Sequence, residues 1–200
     1  SREGLNVRLP RHAERLVQLV ELQVTRNELA RQNRRIRALL RSALEIQGEG
    51  EQDALERRIA DSVLAASGAS FVAVVRWSAS KRRGVVRHAT AAYPPPAPVV
   101  NTAVEPTSLV GEVCRDGVPA LWEDAHEMQH DRVLYGGADR VPKAGSFAIL
   151  PMQRAKTTVG ALVIGAAEPH AIRMSDLRTI GLFAQLAASA LESAWEIEEV

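Results

Sequence analysis

The chain has 200 residues, 46% of them hydrophobic and 24% charged, with a formal net charge of +1. That leaves room for one domain with an appendage, or for two small domains, and the near-zero charge removes any global electrostatic argument for nucleic acid or a membrane surface. A single cysteine, Cys114, excludes an internal disulfide and suits a reducing, cytoplasmic setting, and no apolar run approaches the ~20 residues needed to cross a bilayer.

No signal peptide is visible; a start at Ser1 without methionine and an end inside a helical pattern read as a piece of a longer protein. Residues 11–46 lack Gly and Pro and are dense in Arg, Leu and Glu. Leu22, Leu29, Ile36 and Ala43 recur every seven positions, and Leu19, Arg26, Asn33 and Leu40 form a second row three positions earlier. Two such rows are the seam of a coiled coil, with Asn33 as a polar device that fixes register in a parallel dimer. The alternative is one amphipathic helix folded on its own domain. The arginine-rich stretch 31–41 flanks the seam and reads as its solvated surface, not as a nucleic-acid site.

Gly48 and Gly50 break this pattern, which sets units at 1–48 and 49–200. Leu55, Ile59, Val63 and Leu64 predict a second helix ending near Gly68. Residues 70–77 and 85–93 predict two strands around the polar turn at 81–84, and the prolines of 94–98 predict a loop. Residues 107–125 predict a short helix closed by Gly117, then a strand through Ala120, Leu121 and Trp122. The polar region 125–144 predicts a helix turn and a loop. Residues 146–168 predict two strands around a turn near Ala155–Thr158. Ser175 is the expected cap of a long last helix carrying Leu177, Ile180, Ala184, Ala187, Leu191 and Ala194 on one face. Strands apolar on both faces need cover on both, and the short 150–160 hairpin leaves no room for a crossover helix. The expected fold class is α+β, an antiparallel sheet between helical layers.

The order of these segments resembles the GAF domain family. "SLVGEVCRDGVPALWEDA", then "SFAILPMQRAKTTVGALVIGAAE", then "FAQLAASALESA" follow that family's outline at Gly111, Gly117, Pro119, Asp124, Ser146, Pro151, Gly160, Leu162, Ala184 and Ala190, over roughly 51–197. The resemblance implies a small-molecule sensor, or a ligand-free dimerisation module, within a bacterial signalling protein, with terminal helices that pair across a two-fold axis. The heptads resemble the signalling helices that join such domains to their neighbours. The family's cyclic-nucleotide signature is absent, and Cys114 has no adjacent histidine of the bilin-binding kind, so the cofactor is unknown.

The stretch "HEMQH" matches H-E-x-x-H through His126, Glu127 and His130. The third ligand of a catalytic zinc is missing: Val133 and Gly136 stand where the extended motif needs Gly and His. His126 and His130 are at most a weak metal pair, and no catalytic residue or enzymatic activity is expected. Trp122, Tyr135 and Phe147, with Arg154 or Arg76 for charge, are the candidates for lining a ligand pocket; the alternative is that the aromatics fill core. A homodimer interface is expected through Leu22, Leu29, Asn33, Ile36 and Leu40, and through Ala187 and Leu191 of the last helix.

Overall fold

The computed structural model of the chain describes residues 52–91, 100–127, 132–137 and 144–198. The heptad seam, the proline run at 94–98 and His130 lie outside the described residues. Helix α1 (Gln52–Ala66) leads into strands β1 (Phe71–Ser78), β2 (Arg83–Ala91) and β3 (Ala103–Val104). Helix α2 (Leu109–Asp116), strand β4 (Ala120–Trp122) and a 3-10 turn at Ala125–Glu127 follow. Strands β5 (Ser146–Arg154) and β6 (Thr157–Ala166) then precede helix α3 (Met174–Glu198). The six strands form one sheet in the order β3-β2-β1-β6-β5-β4, and every pairing is antiparallel. The expected fold class, an antiparallel sheet with helices on both faces, is borne out.

Side chains alternate across a strand, so each strand feeds two cores. On one face α1 (Leu55, Ile59, Val63) and α3 (Ile180, Phe183, Ala184, Leu191, Trp195) cover Val72, Val74, Leu150, Met152, Leu162 and Ile164. On the other, α2 (Leu109, Val110, Val113, Cys114) covers Val75, Trp77, Phe147, Ile149, Ala161 and Val163. Strand β6 is buried over nearly its whole length, as its run of apolar residues on both faces requires.

Trp195 joins the ends of the two long helices. Its indole N–H donates to Oε1 of Glu56 in the first turns of α1 at 2.9 Å, and the same oxygen accepts from Arg87 Nε at 3.3 Å. The Arg76 guanidinium lies 5.5 Å from the indole centroid. The ring sits over Gly160, where a Cβ would lie 3.3 Å from the indole, 2.7 Å from the Met152 methyl and inside the Val75 carbonyl. Glycine in mid-strand is the condition for that seat.

One local expectation is corrected, and two features go beyond what was expected. The edge strand β3 was not foreseen; with two residues it carries no readable alternation. Ser175 is not the cap of α3, because the helix begins at Met174. Its first amides are met by two carboxylates instead: Arg173 N–H donates to Asp176 Oδ2 at 3.1 Å, and Met174 N–H donates to Glu123 Oε1 at 3.1 Å. Pro151 is accommodated inside its strand. It lies in β5 beyond Ile149, where the pairing with β4 stops, so its missing N–H leaves no ladder bond unmade on that side.

Candidate functional site

The face under α2 is assembled from short pieces that the sequence locks individually. Ser108 caps α2: its Oγ accepts from Gly111 N–H at 3.1 Å and donates to the Glu105 carbonyl at 2.7 Å. Gly111 admits no side chain, since a Cβ would overlap the Glu105 carbonyl oxygen and lie 2.8 Å from the Pro106 Cα. Gly117 closes the helix at φ +67°, its N–H donating to the Val113 carbonyl at 2.9 Å. The first glycine of the "SLVG" segment is thus a packing requirement, and the later one a conformational requirement.

Residues 132–137 are stapled to the start of this helix. Leu109 N–H donates to Val133 O at 3.0 Å, Val110 N–H to Leu134 O at 3.2 Å, and Glu105 N–H to Tyr135 O at 2.9 Å. The Arg132 guanidinium reaches both carboxylate oxygens of Glu112 at 2.7 Å. Held this way, Tyr135 is buried at 1% exposure in the same cluster as Phe147, which is fully buried. Trp122 pairs with Phe147 in the β4–β5 register and packs on it at 6.0 Å between ring centroids, tilted by 44°. Trp122 is half-buried, so it forms the rim of this aromatic group. Gly165 stands opposite Phe147 on β6, and a Cβ there would lie 3.3 Å from the phenyl ring.

The five pocket candidates are therefore divided by the sheet. Trp122, Tyr135 and Phe147 come together on the α2 face. Arg76 and Arg154 lie on the other face: Arg76 stacks on Trp195 and donates to its carbonyl at 3.4 Å, and Arg154 is paired with Glu192 of α3. The expectation that either arginine supplies charge beside the aromatics is corrected. The hydrophobic cluster of the α2 face is apolar apart from the polar atoms of Tyr135, Cys114 and Trp77, and the buried polar residues beside it are engaged: Ser108 in the cap of α2, and Thr158 as acceptor from Gln153 Nε2 at 3.4 Å. Burial pushes the Cys114 thiol up to about 12, so it stays protonated and behaves as a small hydrophobe.

His126 is exposed, in a 3-10 turn of three residues, and its N–H donates to Asp124 Oδ1 at 3.0 Å. Among the described residues no group of three or more His, Cys, Asp or Glu side chains is placed to hold a metal. Ala187 and Leu191, expected at a dimer interface, are buried in the domain's own core at 1% and 0% exposure. Among the described residues, the large apolar side chains that α3 turns outward are Met174, Leu182 and Leu186, exposed at 58%, 67% and 49%. Sequence reasoning passed over these three, although Leu182 and Leu186 stand four apart, at helical spacing.

A six-stranded antiparallel sheet with paired long helices on one face and a short capped helix on the other is the architecture of a small sensory module. The family model described as "GAF domain" matches residues 51–192, and the chain belongs to that family. Among solved structures it is similar to the GAF domain of a phosphoenolpyruvate-protein phosphotransferase from Acinetobacter, 16% identical over 82% of this chain and 96% of that one, with a TM-score of 0.69. It is also similar to the GAF-B domain of DevS from Mycobacterium smegmatis, 23% identical over 74% of this chain and 98% of that one, with a TM-score of 0.55. A third is the free methionine-R-sulfoxide reductase of Neisseria meningitidis in complex with its substrate, 14% identical over 80% and 89%, TM-score 0.62. These likenesses show the fold. None of the curated proteins matches the chain in sequence. GAF domains are as a class regulatory sensor domains, and no helix among the described residues is long and apolar enough to cross a membrane.

Proposed function

We propose that this chain is a sensory GAF domain of a multidomain signal-transduction protein, which binds a small ligand on its α2 face and relays the event through paired helices. The observation that supports this reading is the aromatic pair Trp122 and Phe147 in one cluster with Tyr135, which is carried by the irregular segment that roofs this face. A roof held by three backbone hydrogen bonds and one ion pair opens at less cost than a helix seated by a continuous apolar stripe. The apolar lining favours a largely apolar or aromatic ligand over a charged one. That the Neisseria reductase was solved with its substrate bound supports a ligand on this fold.

The second reading is a ligand-free module that only dimerises; it is favoured by the complete burial of Tyr135 and Phe147, which act as core in this conformation. Native mass spectrometry of the freshly purified chain separates the two. The sensor reading expects a bound small molecule that is lost in Trp122→Ala and retained in Leu182→Ser. A chain of bare mass, whose tryptophan emission no aromatic or heteroaromatic compound shifts, leaves the dimerisation module standing.

The relay part of the proposal is a parallel homodimer. Its seam is formed by Leu22, Leu29, Asn33, Ile36 and Leu40 of the 1–48 unit, with Asn33 facing its own copy. The outward residues Leu182 and Leu186 of α3 replace Ala187 and Leu191 as its second contact. Sedimentation of the intact chain at micromolar concentration tests it; a monomer would overturn it.

A further inference from the structure

The two hairpins at the centre of the sheet turn at the same end. Arg76 of β1 pairs with Gly160 of β6, so the β1–β2 turn and the β5–β6 turn lie side by side just beyond that row. The first turn carries Lys81 and Arg82 and leads into Arg83; the second is flanked by Arg154 and contains Lys156. All five side chains are exposed. Arg154 is paired with Glu192, whereas Lys81, Arg82, Arg83 and Lys156 have no ion-pair partner among the described residues. In a chain of net charge +1, this is a local concentration of one sign.

The tips are also preorganised. The β5–β6 turn is the two residues Ala155 and Lys156, both at positive φ (+47° and +72°), which is the tight hairpin that continues the twist of its strands. Arg82 is held at φ +48°, and Ser78 Oγ accepts from Lys81 N–H at 3.4 Å within the other turn. Cations carried on such short turns are displayed in fixed places, which makes their spacing a recognition element.

That spacing selects the partner. The centres of the two hairpins are two strand positions apart, about 9.6 Å at ~4.8 Å per strand. Two turns of an α-helix advance about 10.8 Å, so carboxylates at positions i, i+4 and i+7 of a helix meet both tips at once. We infer that this end of the sheet docks an acidic helix of a partner protein, presenting Asp or Glu at that spacing. Nucleic acid fits less well. The tips offer no exposed aromatic side chain to stack a base, and Trp77 and Trp195 near this end are buried. The inference goes beyond the sensor reading and does not depend on a ligand.

The test is fluorescence anisotropy with the intact 200-residue chain and labelled alanine-rich helical peptides of about 20 residues. One peptide carries Glu at i, i+4 and i+7; a second has the same charge at i, i+2 and i+5; a DNA duplex is the third probe. The expected result is saturable, salt-sensitive binding of the first peptide, several-fold weaker binding of the second, and weaker binding still of the duplex. The variant Lys81→Glu/Arg82→Asn/Lys156→Asn keeps side chains that tolerate positive φ in the two strained places and should lose about tenfold in affinity with an unchanged circular dichroism melt. If that variant is destabilised, Lys81→Gln alone, expected to lose about twofold, takes its place. Equal affinity for the two peptides, tighter binding of the duplex, or undiminished binding by a folded variant would each overturn the inference.

Discussion

On one side of the sheet lie a 15-residue and a 25-residue helix; on the other lie an eight-residue helix, a 3-10 turn and stretches of irregular backbone. The first side is held by a broad apolar stripe and one polar knot around Trp195. The second is held residue by residue, through a Ser108 cap, a left-handed Gly117, a Gly111 with no space for a methyl group and an Arg132–Glu112 pair. The difference teaches where a sensor can change shape. Stripes resist local opening because every layer must move together, whereas stapled segments can be released one bond at a time. The first side suits transmission, and the second suits recognition.

Four measurements break or sharpen that contrast, in falling order of effect. Gly111→Ala should cost about 3 kcal/mol or more, because the new methyl group overlaps backbone that cannot give way; urea denaturation measures it, and a near-neutral variant would mean that the α2 turn is looser than described. Trp195→Ala should lose about 3–5 kcal/mol, from the emptied seat over Gly160 and from a buried Glu56 that loses a donor, while half-buried Trp122→Ala should lose about 1–2 kcal/mol. Equal losses would erase the distinction between a rigid and a yielding face.

The third measurement is pH-dependent. The folded Cys114 thiol is raised from the ordinary 9.0 to about 12, so the unfolded chain gives up its proton first as pH rises. The stability this group contributes is complete below pH 9 and should be lost progressively as pH rises from there toward about 12, a contribution absent in Cys114→Ala. Alkylation by iodoacetamide at pH 8 should accordingly require unfolding or opening of α2. The smallest effect on stability is that of Leu182→Glu with Leu186→Glu, within about 0.5 kcal/mol because both side chains already face water. If the same pair of changes leaves the sedimentation coefficient untouched, α3 takes no part in the proposed dimer.

Much of the fold was legible because its signals are local. Valine-rich strands, a turn between Arg154 and Thr157, and a glycine after a short amphipathic helix each announce themselves within ten residues. The site was only partly legible because it depends on parity and register. Arg154 stands seven positions after Phe147 in one strand, so alternation alone places them on opposite faces; that signal was available and unused. Arg76 needed the cross-strand register to be placed. The stripe of Ala184, Ala187 and Leu191 was visible, but periodicity marks a face to be covered without saying whether the cover is a sheet or a second helix; here it is the domain's own sheet. Of the two carboxylate caps of α3, Glu123 was missed because it reaches the helix from a distant loop, whereas Asp176 is only three residues from the amide it meets and was available and unused.

The sheet order has a consequence for how the domain comes into being. Strand β1 is joined by β2 immediately but by β6 only at the other end of the domain's sequence, Phe71 pairing with Gly165. During synthesis the edge of β1 that β6 will pair must therefore stay open until β6 has left the ribosome, although α1 and α2, which pack on its two faces, are made earlier; and Trp195, which occupies the seat over Gly160, emerges later still. The newborn chain passes through a stage in which a strongly hydrophobic strand has one unpaired edge, and the last helix acts as the closing piece of assembly.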